Sequence, residues 1–335
     1  MAYELKTNYG FDYYEVVSAF QKSIRRCLVQ ESIYWGIELY ESKFGSSAWS
    51  RLMIIASEDI GLGNNDAIIF ITDMHKLNTT ESFICAIIYA ASSPKSRIID
   101  NLVCESYFLP HTILKPKLKE IVSNFFIEVI MFDSTDYEDV SSNDPKAMSH
   151  ILYNAILAKD YDLAMYMSVR FFNEDLKAMY FSIIEKLVNQ NSNIKGLKEF
   201  YNAVRYAYDF LKVKKNKHVP ERLHFTHMML VFLRPEIRVN TEINEAVISI
   251  ESLILGDFMK EQIFKLRSVR NDIPDYALDG HTRRGKMMKR GSNDYFYVHS
   301  AMINRHNEID CPDEWNIRDR VWNKYKIEDK KWKTY

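Results

Sequence analysis

Glycine and proline are scarce in this chain, at 10 and 8 of 335 residues. Both residue types interrupt helices, so their scarcity favours helices joined by short connections. An excess of one charge sign is also lacking, because 44 Lys and Arg face 45 Asp and Glu and the net charge is −1. The chain as a whole therefore does not attract polyanions, and any nucleic-acid binding has to come from a local patch.

Cysteine is sparse too, and no two of the four cysteines have metal-binding or redox spacing. This usage favours buried thiols in a reducing compartment; the four are Cys27, Cys85, Cys104 and Cys311. The first ten residues have no apolar core of a signal peptide, and no apolar run is long enough to cross a bilayer. We therefore expect a cytoplasmic protein without a membrane partner, and we predict no cofactor and no metal.

Apolar residues are plentiful, at 47% of the chain, and 13% of all residues are aromatic. Residues 11–28 place Phe11, Tyr14, Val17, Phe20 and Ile24 at spacings of three and four, which is typical of one face of an α-helix. Residues 33–40 and 49–60 continue this pattern. Nearly all residues of 67–74 and 82–91 are apolar, so both stretches are expected to be buried helices, and 95–109 to be another helix.

The predicted fold class is all-α, with a compact multi-helix domain followed by a second helical domain that ends in a loop-rich C-terminal part. The first domain is assigned to residues 1–132. Residues 133–144 are acidic and polar and are the predicted linker. A second helical region is assigned to residues 145–269, and a basic, loop-rich segment to residues 270–335.

Four segments of the first domain carry a family resemblance. They read SAFQKSIR at residues 18–25, IYWGIELYE at 33–41, RLMIIASEDIGL at 51–62 and IIYAASSPKS at 87–96. In their order, their spacing and their residues they resemble the C-terminal region of the MgsA/RarA family. The members of this family are clamp-loader-like AAA+ ATPases that act at stalled replication forks. The resemblance covers roughly residues 11–110.

The resemblance implies a helical region that builds a homotetramer and follows an ATPase module. It does not supply that module, so we expect an oligomerisation domain without ATPase activity of its own. A stand-alone copy of such a region is expected of a phage or another mobile element, where it would imitate or cap the host factor. The expected partner is a second copy of the chain, in a tetramer.

The basic segment near the C-terminus is the strongest concentration of charge. Between residues 265 and 290, eight Lys and Arg face three Asp, an excess of five. Arginines hold phosphates bidentately, and flanking glycines let a backbone approach a ligand closely. The residues predicted to bind DNA or RNA phosphates are Arg283, Arg284, Lys286, Lys289 and Arg290.

The same segment contains GHTRRGK at residues 280–286, which fits the GxxxxGK pattern of phosphate-binding loops. That chemistry also needs a Ser or Thr after the lysine to hold Mg²⁺, and a buried strand before the loop. Met287 stands directly after the lysine, where the Ser or Thr is needed, and residues 275–279 do not resemble a strand. The pattern is therefore interpreted as a basic loop that contacts phosphates or an acidic partner, or as a solvated face, and not as an ATP site.

Histidines and carboxylates offer no clearer site. His224 and His227 lie three positions apart on a predicted helix without the further ligands that zinc requires, so they are interpreted as surface or core histidines. Ser57, Glu58 and Asp59 are adjacent and point in different directions on a helix, which favours capping or interhelical ion pairs over catalysis.

The functional hypothesis is a non-enzymatic, oligomeric helical protein associated with DNA replication, recombination or repair. One alternative is an enzyme that acts on a phosphorylated or nucleic-acid substrate through residues 281–290. Another is an inhibitor that binds a host replication or defence protein.

Overall fold

The computed structural model describes residues 5–100, 102–103, 152–159, 164, 174–212, 219–233 and 257–290. This part of the chain is helical and has no strand, which confirms the predicted all-α class. An isolated antiparallel bridge pairs Lys6 with Asp12. None of the helices in these ranges is both long and apolar enough to cross a bilayer.

The first two helices form as predicted. Helix α1 spans Tyr13–Arg25, and the Asp12 side chain caps it by accepting from the backbone of Tyr14 and Glu15. It ends at Arg25, and Cys27, with a φ of +60°, then turns the chain into helix α2, Val29–Leu39. A Cβ at Gly36 of α2 would lie 2.8 Å from the Phe20 ring, so glycine is what lets the two helices approach so closely.

Three further helices complete the N-terminal bundle. Helix α3 spans Gly45–Ile55 and continues into a π-helical turn, Ala56–Ile60, and a short 3₁₀ turn, Gly61–Gly63. Helix α4 spans Asp66–Leu77 and helix α5 spans Thr80–Ser92. A reciprocal capping box between Thr79 and Ser82 begins α5. The helix predicted from residue 95 begins instead at Ile98, and residues 101 and 104–109 of its predicted length lie outside the described residues.

Aromatic rings fill the centre of this bundle. Trp49 meets Phe83 edge to face at 4.8 Å between ring centroids, and Phe83 stacks on Tyr40 at 4.9 Å. Phe20 and Trp35 are fully buried beside them. Because Phe and Trp dominate core energetics, removing one of these rings is expected to cost about 3–5 kcal/mol of unfolding free energy.

A buried ionic network ties α1 to the turn after α3. Asp59 is fully buried and accepts from Arg25 at 2.5 Å, from Arg97 at 2.6 Å and from Gln21 at 2.9 Å. Burial disfavours its charged form, but the two arginines outweigh that effect and hold the pKa of Asp59 at about 2. The prediction that Glu58 and Asp59 make interhelical ion pairs is confirmed, since Glu58 also contacts both arginines.

Lys95 is fully buried and caps the C-terminus of α5. Its ammonium donates to the carbonyls of Ala90 at 2.9 Å, Ala91 at 3.1 Å and Ser93. These carbonyls have no partner within the helix, so the ammonium satisfies them at the negative end of the helix dipole. Burial lowers the pKa of Lys95, against the opposing effect of the nearby Cys27.

Neither Cys27 nor Cys85 is in a disulfide, while Cys104 and Cys311 lie outside the described residues.

The chain divides into two compact units. The first comprises Met1–Arg97, Tyr206–Lys215 and Arg238–Asp310, and the second comprises Ile98–Arg205, Asn216–Ile237 and Cys311–Tyr335. The predicted linker at 133–144 lies outside the described residues, and the domain boundaries at 132, 145 and 270 stay predictions.

The second unit contains two long helices in full, α6 (Glu174–Gln190) and α8 (Val219–Leu233). It also contains the first half of α7, which spans Leu197–Lys212. The Tyr180 hydroxyl donates to the Phe225 carbonyl at 2.7 Å, and Lys177 pairs with Glu221 at 2.6 Å, which joins α6 to α8.

Both predicted helical histidines lie on α8 and are core residues. His224 and His227 are fully buried, and the ring of His227 meets Phe200 at 4.9 Å. Burial lowers the pKa of His224 to about 4 and that of His227 to about 3.

Residues 257–290 return to the first unit. They begin with helix α9, Asp257–Ser268, which packs on α2, and contain a 3₁₀ turn at Asp275–Ala277 and the short helix α10, Arg283–Met287. Arg267 at the end of α9 pairs with Glu38 at 2.9 Å and also with Glu41. The N-terminal bundle is thus joined to residues that lie more than 200 positions later in the chain.

Candidate nucleic-acid interface

Residues 267–290, here called the docked segment, lie along α1 and α2. Ser18 of α1 donates to the Ala277 carbonyl at 2.7 Å, and Lys22 pairs with Asp279 at 2.7 Å. On the α2 side, the Tyr34 hydroxyl accepts from the Asn271 backbone at 3.0 Å. These contacts fix the docked segment on a rigid helical surface instead of leaving it as a solvated loop.

Tyr276 adds a further anchor to the docked segment. Its hydroxyl donates to the Glu31 carboxylate, and the Arg26 guanidinium lies 4.5 Å from the centre of its ring. Burial and the Glu31 carboxylate raise the pKa of Tyr276 well above its usual range. The phenol therefore stays protonated and keeps donating to Glu31 at any physiological pH.

The Lys22–Asp279 pair joins α1 to the turn that precedes α10. Burial lowers the pKa of Lys22 to about 8, against the opposing effect of its hydrogen bond to Asp279. Burial also opposes the charged form of Asp279, but hydrogen bonds from His281 and Lys22 outweigh it and hold the pKa of Asp279 well below its usual range. The charged Asp279 carboxylate therefore holds the turn through these hydrogen bonds.

The GxxxxGK pattern forms a closed turn at residues 279–285. Thr282 caps α10 by accepting from the Gly285 backbone at 3.2 Å and donates to the Asp279 carbonyl at 3.0 Å. A Cβ at Gly285 would lie 1.9 Å from that carbonyl oxygen, so the turn requires glycine at this position. The backbone N–H groups of His281, Gly285 and Lys286 all donate within the turn. They do not form a phosphate cradle, and a 3₁₀ turn stands where a phosphate-binding loop has its strand.

The five residues predicted to bind nucleic acid separate into two groups. Arg284 donates to both carboxylate oxygens of Glu15 at 2.8 Å, and these hydrogen bonds raise its pKa. Arg290 pairs with Asp275 at 2.7 Å and donates to two backbone carbonyls. Arg284 therefore ties the docked segment to α1, and Arg290 braces the turns of the segment itself, roles that the sequence did not assign to them.

The other three predicted residues are exposed on one short stretch. Arg283, Lys286 and Lys289, here called the basic surface, extend from α10 and the residues just after it. Neither Lys286 nor Lys289 makes an ion pair with any residue of the described ranges. Lys289 adopts a φ of +58°. The next residue, Arg290, pairs with Asp275. The basic surface is the exposed part of the predicted site that is not bound to Glu15 or Asp275.

A cleft of about 700 Å³ opens beside the basic surface. Its lining comes from the residues before α1, from the first turn of α1 and from the docked segment, and it includes Lys6, Phe11, Arg270, Asp272, Arg283 and Met287. Arg283 belongs both to the cleft and to the basic surface. The two features therefore form one continuous candidate site.

Arg270 is held over an aromatic ring in this cleft. Its guanidinium lies 4.7 Å from the centre of the Phe11 ring, and Phe11 is fixed edge to face against Trp35 at 5.5 Å. Arg270 and Asp272 are exposed, and neither makes an ion pair with a described residue. The sequence reading missed this pairing because 259 positions separate Phe11 from Arg270, and no local pattern connects them.

The residues of the alternative enzyme site do not converge on one point. The His281 side chain is 80% exposed, Thr282 is buried as the cap of α10, and Arg284 is bound to Glu15. Within the described ranges, no three His, Cys, Asp or Glu side chains are grouped as metal ligands would be.

Comparisons with known proteins find no relative of this chain. No protein-family model, no curated protein and no solved structure matches it.

Proposed function

We propose that this chain is an oligomeric helical module that works in DNA replication, recombination or repair and binds nucleic-acid phosphates through the basic surface. The proposed module self-associates, and a tetramer is the favoured assembly. The observation that carries the binding function is the exposure of Arg283, Lys286 and Lys289 on a segment anchored to α1 and α2. Pre-organised cations lose little conformational entropy when they meet a phosphate backbone.

The proposed cellular setting is supported by the resemblance to the MgsA/RarA C-terminal region. The four resembling segments lie in and around α1, α2, α3 and α5, and they supply Arg25, Asp59 and Lys95 of the buried polar contacts. These residues hold helices together and do not line the cleft. What the resemblance implies for this chain is therefore a helical scaffold, and the binding surface is provided by the docked segment.

The salt dependence of DNA binding tests this proposal. Each phosphate that a Lys or Arg neutralises releases counterions, so three contacts to duplex DNA predict that log affinity falls with log salt at a slope of about −3. Fluorescence anisotropy with a labelled duplex of arbitrary sequence, from low to moderate salt, measures the slope. A second duplex of unrelated sequence is expected to bind equally well, because phosphate contacts carry no sequence information. Absence of binding at the lowest salt would overturn the proposal.

A second candidate function is binding of a protein partner, and two exposed methionines favour it. Met287 is 76% exposed and Met288 is 48% exposed, directly between the basic side chains. Methionine is common at adaptable protein-binding surfaces, so a basic surface with apolar centres fits an acidic, partly apolar protein. Binding that persists at high salt and weakens when Met287 is changed to Ser would select this function over nucleic-acid binding.

A further inference from the structure

The cleft beside the basic surface presents two exposed residues of opposite charge, two positions apart in the chain. Arg270 and Asp272 both line it, and neither makes an ion pair with a described residue. The backbone of Asn271, between them, donates to the Tyr34 hydroxyl at 3.0 Å and so anchors this stretch on α2. One fixed surface therefore carries a cation and an anion whose charges are not used in ion pairs within the described part of the chain.

Exposed apolar side chains accompany these two charges. Met287 lines the cleft and is 76% exposed. Val269 and Tyr14, each directly before a lining residue in the chain, are 63% and 60% exposed. A concentration of exposed apolar side chains marks a protein-interaction surface, and Met, Tyr and Arg are enriched at such surfaces. The cleft thus has the composition of an interface with another protein.

The charged groups of this surface are held in position before any partner binds. The Arg270 guanidinium lies 4.7 Å from the centre of the Phe11 ring, and Phe11 is fixed edge to face against Trp35 at 5.5 Å. On the α1 side of the cleft, Glu15 is bound to Arg284. A guanidinium that is already supported loses less conformational entropy when it pairs with a carboxylate.

We infer that the cleft binds a second copy of this chain around a two-fold axis. In a two-fold interface the same surface serves both copies, so Arg270 of each copy pairs with Asp272 of the partner subunit. A surface that carries both charge signs is complementary to itself, whereas a surface of one sign repels its own copy. The inference rests on the self-association in the proposed function, and it names one of the contacts from which a tetramer of two-fold symmetry is built.

Charge reversal at the two positions is expected to give opposite results for separate and mixed variants. Arg270→Asp leaves two acids on the surface and Asp272→Arg leaves two bases, so copies of one variant repel each other. Mixed in equal amounts, the two variants are complementary at both contacts. In light scattering at micromolar concentration, each variant alone is expected to have half the wild-type mass, and the mixture is expected to regain the wild-type mass.

Lys265→Glu and Glu261→Lys are the matched controls. These two residues pair with each other on α9 and do not line the cleft, and their side chains are 61% and 60% exposed. The two substitutions change the net charge by the same amounts as Arg270→Asp and Asp272→Arg. Both control variants are expected to keep the wild-type mass.

The outcomes separate the inference from the proposed function. A monomeric wild type overturns self-association and the inference together. An oligomeric wild type whose mass is unchanged in Arg270→Asp and Asp272→Arg overturns the two-fold contact and leaves self-association in place. A loss of mass that mixing does not restore also overturns the pairing of these two residues. Circular dichroism melting verifies that both variants are folded, as expected for substitutions of exposed side chains.

Discussion

Single buried residues join the elements of this fold, and Asp59 is one that contacts three partners. Its carboxylate joins Gln21 and Arg25 of α1 to Arg97 after α5. Removing it takes away the carboxylate that two buried guanidinium groups share, although Glu58 also contacts both. A buried charge that loses its partner is far more costly than an exposed one.

Asp59→Ala is expected to lower the free energy of unfolding by about 3–5 kcal/mol. Asp73→Ala is the matched control, because Asp73 pairs with Lys76 at the surface and both side chains are 54% exposed. That change is expected to cost about 0–1 kcal/mol. Urea denaturation followed by tryptophan fluorescence measures both, and equal losses in the two variants would contradict the role given to Asp59.

The buried histidines of α8 predict a pH dependence of local stability. An unfolded histidine titrates near 6.5, whereas burial lowers the pKa of His224 to about 4 and that of His227 to about 3. The unfolded state therefore binds more protons below pH 6.5, and the stability that the neutral rings contribute is lost as pH falls from there toward the folded pKa values. Between pH 7 and 5, amide hydrogen exchange in α8, corrected for its intrinsic pH dependence, is expected to speed up.

The double substitution His224→Gln and His227→Gln is the control for this effect, since glutamine does not titrate. In that variant the corrected exchange in α8 is expected to be independent of pH over the same range. An equal acceleration in wild type and variant would show that other groups, and not the two histidines, cause the loss of stability.

At the scale of elements, the docked segment is the main feature that the sequence did not reveal. Helices α1 to α3 follow from apolar periodicity, and α4 and α5 from nearly continuous apolar stretches, because each helix buries a local surface. Docking of residues 267–290 depends on single contacts such as Ser18 to Ala277 and Tyr276 to Glu31, which join positions more than 200 apart. One sequence contains no periodic signal for such contacts. The basic segment was therefore recognised by its charge, while the division of its arginines into anchors and exposed groups required the structure.

Gly285→Ala is expected to release the docked segment from α1. A Cβ at this position overlaps the Asp279 backbone at 1.9 Å, so the turn opens and its contacts to Lys22 are lost. Tryptic cleavage after Arg283 and Lys286 is expected to speed up by roughly tenfold, the factor for each 1.4 kcal/mol of local destabilisation. Lys289→Ala, an exposed neighbour, serves as the control and is expected to leave cleavage at those two sites unchanged.

The closed turn at residues 279–285 also predicts that Mg-ATP is not a ligand of this segment. Its backbone N–H groups donate within the turn, and Met287 replaces the metal-binding hydroxyl. Calorimetry with Mg-ATP is expected to give no micromolar binding. A micromolar dissociation constant that Lys286→Ala abolishes would contradict this interpretation of the turn.

At the scale of the whole molecule, the proposed tetramer has to use a surface other than the isoleucine-rich faces of α3, the turn after it and α4. Ile55, Ile60, Ile68 and Ile71 are fully buried within the chain. Light scattering at micromolar concentration is expected to give the mass of four copies of a 39.5 kDa chain. A monomer mass at every concentration would remove self-association from the proposal and leave the nucleic-acid function unaffected.

The most direct test of nucleic-acid binding is a comparison of two charge-reversed variants. One replaces the basic surface, Arg283, Lys286 and Lys289, by Glu. The other replaces three exposed lysines elsewhere by Glu, namely Lys76, Lys186 and Lys198. Each changes the net charge by six, from −1 to −7, so any difference between them reports location and not total charge.

Gel retardation of labelled DNA at low salt measures this difference. The basic-surface variant is expected no longer to retard DNA, while the matched variant is expected to retard it as wild type does and both to keep the wild-type melting temperature. Equal retardation by all three proteins, or equal loss in both variants, would contradict binding through the basic surface.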